Sequence, residues 1–226
     1  MDVINRTKFN VSILGESTVG KTTMCSVFIG KEFTEITLQT IGTENIFIPA
    51  KFDGKEYKFK IFDTAGQERY RSIAKNTINI ADGFLLVFAV DDKKTFQTLG
   101  EWIKSIKENC DISKKTLFLV GNKVDIEKRI VSKEEALSFS KANNIKYFET
   151  SAKTGFGIKE VFKLLFEEVY KKCKEIETLE KAENEKNNSN EKNHIILDKK
   201  EIVKNNNKEK KKRLLLNFKI YILFIK

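Results

Sequence analysis

The residues best suited to chemistry lie between Gly15 and Thr22, which read Gly-Glu-Ser-Thr-Val-Gly-Lys-Thr. They fit the pattern G-x-x-x-x-G-K-[ST] at every fixed position. A loop that wraps a di- or triphosphate turns successive backbone N–H groups inward, and its glycines let the chain bend and approach closely. Lys21 then supplies positive charge to the β- and γ-phosphates, and the Thr22 hydroxyl suits Mg²⁺. The predicted phosphate-binding residues are Ser17, Thr18, Val19, Gly20, Lys21, Thr22 and Thr23.

The residues on either side of this loop agree with the motif. Residues 9–14 alternate and then become apolar, as in a strand that enters a sheet, and residues 23–28 carry apolar side chains at helical spacing. The helix would add its positive N-terminal end to the anion site. Because strand, glycine loop and helix occur in the required order, an accidental Gly/Thr-rich surface loop is disfavoured.

The chain has 226 residues, which is enough to bury one substantial core. Its cysteines indicate a protein that works in a reducing environment. The three cysteines are widely spaced, which fits neither a disulfide framework nor a C-x-x-C metal pair. No basic-then-apolar signal region opens the sequence. The formal net charge is +10, but about +8 of it lies from Lys199 onward, so no nucleic-acid partner is predicted for the folded part.

Strand and helix patterns alternate along the rest of the folded part. Half-apolar runs over 46–52 and 57–62 flank Asp53-Gly54 and predict a hairpin. Apolar runs predict further strands over residues 83–90, 116–120 and 147–150. Helical periodicity predicts helices over residues 95–109, after the capping box at 132–135, and over 158–172. The alternation predicts an α/β fold, with a mostly parallel sheet and helices on both faces.

Four further stretches follow the phosphate loop in a fixed order. They are Thr40-Ile41-Gly42, the run Asp-Thr-Ala-Gly-Gln-Glu at 63–68, Asn-Lys-Val-Asp at 122–125 and Glu-Thr-Ser-Ala-Lys at 149–153. Together the five motifs resemble those of Ras-superfamily small GTPases, and residues 62–73 look most like a Rab. The resemblance covers about residues 8–172. It implies a P-loop NTPase domain with three α/β/α layers and a six-stranded sheet with one antiparallel edge strand.

The resemblance also implies a molecular switch in membrane trafficking that binds GDP and GTP with Mg²⁺ and hydrolyses GTP. Asp125 can accept two hydrogen bonds from guanine that adenine cannot donate. By resemblance, Asn122 ties loops together, the Lys123 stem covers the base and the Ala152 N–H meets the guanine oxygen. The other residues that the resemblance places at the base are Phe33, Ser151 and Lys153.

The catalytic residues implied by the resemblance are Lys21, Thr40 and Gln67. Asp63 would hold Mg²⁺ through water, Thr40 would reach the ion only when a γ-phosphate is present, and the Gly66 N–H would contact that phosphate. Gln67 would orient the attacking water. No arginine finger is evident in the sequence, so hydrolysis is predicted to be slow without an activating protein. An exchange factor and effectors are the other expected partners.

The sequence leaves two rival functions and one variant of this function as alternatives. A small-molecule kinase shares the phosphate loop but has no reason to carry Asn122-Lys123-Val124-Asp125. A nucleic-acid module would need aromatic residues within the basic tail, which has none in its charged run. The closest alternative is a GTP-binding switch with very slow or absent hydrolysis that acts purely as an interaction module, although Gln67 argues against it.

The chain departs from the Rab pattern at several positions. Thr18 replaces a residue that is often Gly or Ala, so a β-branched side chain is expected against the phosphates. Rabs typically present three aromatic residues to effectors, whereas the corresponding residues here are Asn45, Phe62 and Thr77. Unusual effectors are therefore predicted, with an ordinary nucleotide site.

The C-terminal part also departs from the family. The predicted GTPase domain spans residues 1–172, and residues 173–226 are predicted to be a disordered tail rich in Lys, Asn and Glu. Rabs end in prenylated cysteines, but the last cysteine here is Cys173. A cytoplasmic location is predicted, or a peripheral one on endomembranes through the basic run 208–213 and the apolar residues after it. The alternative is that the apolar end is a gene-model artefact.

Overall fold

The computed structural model describes residues 6–34, 43–64 and 71–183. It divides into two units, Met1–Ile176 and Glu177–Lys226. The domain boundary predicted at residue 172 lies four residues before the end of the first unit. In the described parts of the chain, no helix combines the length and apolar character needed to cross a bilayer.

A six-stranded sheet organises the described part of the first unit. Its strands are β1 (Lys8–Leu14), β2 (Thr43–Phe52), β3 (Lys55–Thr64), β4 (Gly83–Ala89), β5 (Thr116–Asn122) and β6 (Lys146–Glu149). Their spatial order is β2-β3-β1-β4-β5-β6. The β2–β3 pair is antiparallel and all other pairs are parallel. The predicted mostly parallel sheet with one antiparallel edge strand is therefore confirmed.

Helices connect the strands. They are α1 (Lys21–Phe28), α2 (Arg71–Ile80), α3 (Lys93–Gln97), α4 (Leu99–Asn109), α5 (Lys133–Ala142) and α6 (residues 158–176), with a short 3₁₀ turn at Ile112–Lys114. The Ser132 hydroxyl caps α5 by accepting from the Glu135 N–H at 3.1 Å, as predicted. The single helix predicted over 95–109 is wrong, because Thr98 separates α3 from α4. The Thr98 hydroxyl donates to the Thr95 carbonyl, a local bond that competes with continuous helix.

Successive side chains of the central strands point to opposite faces of the sheet, and apolar residues on each face form a core. In β1, Phe9, Val11 and Ile13 face one core, which α1 and α6 cover. Leu14 and the alternate residues of β4 and β5 face the other core, which α2, α3, α4 and α5 cover. The predicted three layers are present, and the parallel strands all end at the edge where the phosphate loop begins.

The β2–β3 turn is the predicted Asp53-Gly54 hairpin. Both residues have positive φ, 49° and 76°, as a type I′ turn requires. The Tyr170 hydroxyl of α6 donates to Asp53 Oδ2 at 2.7 Å, and the Tyr170 ring stacks on Phe52. The hairpin is thereby fastened to the last helix.

The beginning of the predicted tail is helical. Cys173, a residue of α6, packs in the core, and residues 177–183 of the second unit are helical as well. Residues 173–183 therefore depart from the disorder that was predicted for residues 173–226. The rest of the tail, with the basic run and the apolar end, lies outside the described residues.

Candidate nucleotide site

The phosphate loop is shaped by two glycines whose backbone angles exclude other residues. Gly15 has φ 141°, and a Cβ there would lie 2.1 Å from the Val87 carbonyl oxygen of β4. Gly20 has φ 93°, and a Cβ there would lie 2.4 Å from the Asn122 side-chain nitrogen. Neither contact is sterically possible. The motif glycines are therefore needed to seat the loop against the sheet, in addition to any approach by a phosphate.

Thr18 lies at the outer turn of this loop in a left-handed conformation, with φ 64°. A β-branched residue is rare in that region, because its Cβ crowds the backbone. The Thr18 side chain is exposed, whereas Ser17 and Thr23 are half-buried and Val19 is fully buried. The strain that the structure shows at Thr18 is in its backbone, and the crowding of the phosphates by its side chain stays a prediction.

Lys21 is buried at the start of α1, with 5% of its surface exposed. Its ammonium donates to the carbonyl oxygens of Gly15 at 2.9 Å and Glu16 at 2.7 Å. Burial lowers the pKa of Lys21 to about 8, although the nearby Asp63 carboxylate acts in the opposite direction. A cation held inside the loop, with its charge only partly compensated, is the chemistry that a polyphosphate would satisfy.

Asp63 lies next to Lys21, near the end of β3, and is completely buried. Neither carboxylate oxygen accepts a well-aligned hydrogen bond from the described residues. Burial raises the pKa of Asp63, although the adjacent Thr22 hydroxyl and the Lys21 ammonium lower it. An orphaned buried carboxylate beside a threonine hydroxyl fits a hard divalent cation with water ligands. Thr22 and Asp63, the described residues of the predicted Mg²⁺ site, therefore lie side by side, and binding of the ion stays a prediction.

Asn122 lies at the end of β5, and its side-chain amide connects this strand end to the phosphate loop and to the loop after β6. Its nitrogen donates to the Val19 carbonyl at 2.8 Å, which fastens the phosphate loop. Its oxygen accepts from the Thr150 hydroxyl at 3.1 Å and the Ala152 N–H at 3.2 Å, which fastens the loop after β6. All these groups are buried, so each bond would be costly to break. These three bonds are the arrangement that the predicted connecting role of Asn122 requires.

The two loops that would hold a base meet at Asp125 and Ser151. The Ser151 hydroxyl donates to Asp125 Oδ1 at 2.5 Å, so the exposed carboxylate is oriented from the second loop. Lys123 has φ 68° and its ammonium lies 3.5 Å from Asp91 Oδ2. The Ala152 N–H donates to Asn122 Oδ1 at 3.2 Å, and its contact with the guanine oxygen stays a prediction. Phe33 is half-buried after α1, and Lys153 is exposed.

Comparisons with known proteins agree with this geometry. A model of the Ras family matches residues 10–171. The Ras-related protein Rab-13 of Canis lupus familiaris is 37% identical over 162 residues, which cover 71% of this chain and 79% of that protein. The GTP-binding protein ypt3 of Schizosaccharomyces pombe is 37% identical over 164 residues, which cover 72% of this chain and 76% of that protein. This chain belongs to the Ras family of small GTPases. Within that family it is Rab-like.

Three predicted residues of this small GTPase lie outside the described residues. They are Thr40, Gly66 and Gln67, which the resemblance assigns to the γ-phosphate, the metal and the attacking water. Their roles stay predictions. The described site therefore consists of the phosphate loop, Asp63 and the two base loops.

Sequence patterns did not indicate two further parts of the site. The Trp102 indole N–H of α4 donates to Glu16 Oε1 of the phosphate loop at 3.2 Å. In the base region, Glu149 Oε1 accepts from Arg129 at 2.7 Å and from the Tyr147 hydroxyl at 3.0 Å. These bonds brace the loops that would contact the nucleotide. Neither Arg129 nor Trp102 belongs to a motif, so only their spatial positions reveal them.

The surface where other Rabs present aromatic residues is different in this GTPase. Asn45 is exposed and pairs with Phe62 across the β2–β3 hairpin, but Phe62 is only 4% exposed. Thr77 is buried, and its hydroxyl is 3.0 Å from that of Ser12. Phe47, two residues beyond Asn45 on the same face, is instead 57% exposed. Phe47 therefore presents an aromatic surface on this face of the hairpin.

Proposed function

We propose that this chain is a guanine-nucleotide switch that binds GDP and GTP with Mg²⁺ and hydrolyses GTP. The observation that carries the proposal is the Asn122 amide, which holds the phosphate loop and the second base loop against each other. A general phosphate-binding protein has no need for that connection. A protein that must recognise a base and its phosphates together does need it.

Guanine selection would rest on Asp125. Its carboxylate is oriented by Ser151, and it can accept from both the ring N–H and the exocyclic amine of guanine. Adenine offers no such pair, so an ATP base would leave the carboxylate without its partners. An Asp125→Asn variant exchanges an acceptor for a donor and should favour xanthine over guanine nucleotides. Glu127→Gln, which removes an exposed carboxylate two residues away, is the matched control.

Competition binding with GDP, XDP and ADP measures this selectivity. The Asp125→Asn protein should lose GDP affinity and gain XDP affinity, whereas Glu127→Gln should match the wild-type protein. Unchanged GDP preference in Asp125→Asn would contradict the proposed base site. Preferential ADP binding by the wild-type protein would favour a kinase.

Hydrolysis would depend on charge neutralisation and positioning. Lys21 and the loop N–H groups would hold the phosphate oxygens, and Thr22, Thr40 and Asp63 would hold Mg²⁺, the last through water. When bound, the ion would neutralise charge that develops between the β- and γ-phosphates. Gln67 would orient the attacking water, and an activating protein would supply the missing arginine.

A second candidate is a GTP-binding switch with very slow or absent hydrolysis that acts only through its partners. The strained Thr18 is the observation that favours it, since this residue lies in the loop that is expected to hold the phosphates. Single-turnover hydrolysis of GTP by the wild-type and Gln67→Leu proteins distinguishes the two. A wild-type rate above that of the variant supports a hydrolase, and equal rates support the pure interaction module.

The cellular role that we propose is in vesicle-mediated trafficking, with an exchange factor, an activating protein and effectors as partners. The similarity to Rab-13 and ypt3 supports it. The location that we propose is cytoplasmic, or peripheral on the cytosolic face of endomembranes. Imaging of the tagged full chain beside a chain lacking residues 173–226 tests this. Membrane localisation that disappears with those residues would support a peripheral location, and nuclear accumulation would contradict both.

A further inference from the structure

A groove of about 590 Å³ lies at the opposite end of the sheet from the phosphate loop. It is formed where β5 and β6 begin, between the end of α4, the 3₁₀ turn, the α5–β6 turn and α6. Because β1, β4, β5 and β6 run parallel, the beginnings of these strands are remote from the nucleotide site. The nucleotide chemistry described above makes no use of this groove. Its volume is in the range of small-molecule sites.

The lining of the groove is strongly basic. Five lysines and two glutamates contribute to it, which leaves a net charge of +3. Lys146 is neutralised by an ion pair with Glu168. The Lys172 ammonium donates to the Lys115 carbonyl at 2.7 Å, which ties α6 to the start of β5 and holds one cation at the rim. Lys107, Lys115 and Lys171 then add positive charge from three different elements.

The floor of the groove offers polar groups in addition to charge. Thr116 is 6% exposed, and its hydroxyl has no hydrogen-bond partner among the described residues. Asn143 and Asn144 line the wall, with Asn144 in a left-handed turn at φ 53°. Within the part of the chain that the structure describes, the fold therefore leaves one buried hydroxyl without a hydrogen-bond partner at the base of a groove that lysines line. A buried polar atom without a partner carries a free-energy cost that a ligand could offset.

We propose that this groove binds a phosphorylated polyol, either free or as the headgroup of a lipid. Several lysines converging from separate elements supply point charges to phosphate oxygens. The threonine and asparagine side chains suit the hydroxyl groups of a polyol. The volume exceeds the needs of a single inorganic phosphate. This second site is independent of the guanine-nucleotide function.

The test compares two triple variants of the full chain. The first variant removes charge from the groove and combines Lys107→Gln, Lys115→Gln and Lys171→Gln. The matched control, Lys51→Gln, Lys55→Gln and Lys104→Gln, removes the same charge from exposed positions that do not line it. Both proteins keep the same tail, so any contribution of the basic run 208–213 is equal in both.

Binding of inositol trisphosphate is measured by calorimetry with GDP and Mg²⁺ in excess, so that the phosphate loop is occupied. NMR shifts locate the ligand, either at residues 116–118 or at residues 15–22. The second arm measures co-flotation with phosphatidylcholine vesicles that do or do not contain a phosphatidylinositol phosphate. Competition between the soluble probe and the vesicles shows whether both use the same site.

The groove variant should bind the soluble probe about tenfold more weakly than the wild-type protein, since each lost exposed charge weakens binding about two- to threefold. The control should change by less than about threefold. Vesicle binding lost in parallel identifies a lipid headgroup, and soluble binding alone identifies a free ligand. Equal loss in both triple variants, shifts only at residues 15–22, or no binding of either probe would overturn the proposal.

Discussion

Thr18→Gly should stabilise this protein, although most substitutions of a structured residue destabilise. Thr18 has φ 64°, and its side chain is exposed, so truncation removes strain without removing packing. A left-handed conformation destabilises a residue with a Cβ by about 1–2 kcal/mol, and glycine has no such penalty because it has no Cβ. Glycine also makes the unfolded chain more flexible, which costs about 0.4–1 kcal/mol. The expected net gain in the free energy of unfolding is about 0.5–1 kcal/mol. Each kcal/mol corresponds to a rise in Tm of roughly 2–4 °C.

The assay is urea unfolding of the wild-type and variant proteins at one fixed, saturating concentration of GDP and Mg²⁺, because bound ligand shifts apparent stability. Thr7→Gly is the matched control, since Thr7 is exposed and its backbone φ is not positive. The control should lose about 0.4–1 kcal/mol through the same unfolded-state effect. Thr18→Asn should lie between wild type and Thr18→Gly, because asparagine tolerates the left-handed region.

Equal losses in Thr18→Gly and Thr7→Gly would refute the reasoning. That result would mean that the left-handed backbone at position 18 costs the folded protein nothing. A gain in Thr18→Gly with unchanged GDP affinity would show that the strain is a property of the loop itself and not of the bound nucleotide.

Three further predictions concern the buried groups of the site. Asn122→Ala should destabilise by about 3 kcal/mol in urea unfolding, since it removes three buried hydrogen bonds, and GDP release in stopped flow should accelerate. A stability like that of the wild-type protein would contradict the role of Asn122 as a connector. Because the pKa of Lys21 is about 8 and phosphates favour its charged form, GDP affinity should be constant below pH 8 and fall above it. Calorimetry should show that Lys21→Arg removes this decline, and an identical decline in both proteins would exclude Lys21 as its source. Asp63→Asn should stabilise the metal-free protein by about 1–3 kcal/mol and abolish stabilisation by Mg²⁺. Since the folded-state pKa of Asp63 is raised, metal-free wild-type stability should fall as pH rises above the ordinary carboxyl range, and the variant should lack this fall.

The sheet and the phosphate loop were predictable because their signals are local. Strands such as β4 are continuous apolar runs, and the glycines at 15 and 20 occupy backbone angles that other residues cannot adopt. The sequence spacing of such residues reflects the geometry of the loop directly. Asn122 was predictable for a related reason, since its motif follows immediately on a buried strand.

Contacts that depend on distant side chains were not predictable. The Trp102–Glu16 bond joins residues 86 positions apart, and no pattern in either segment indicates the other. The Ala152 N–H bond to Asn122 Oδ1 joins residues 30 positions apart, and no pattern in either segment indicates it. The break at Thr98 depends on one hydroxyl bond that overrides a regular apolar stripe. The basic groove joins four separate segments, so its charge is visible only after folding.

The bond between Trp102 and Glu16 gives this protein a natural optical reporter. The chain contains a single tryptophan, and its indole N–H is attached to the phosphate loop. Indole emission responds to hydrogen bonding and local charge, so every change in the Glu16 carboxylate is read by one fluorophore. Nucleotide exchange can then be followed in real time on the unlabelled wild-type chain. Trp102→Phe, which removes the signal, would serve as the optical blank.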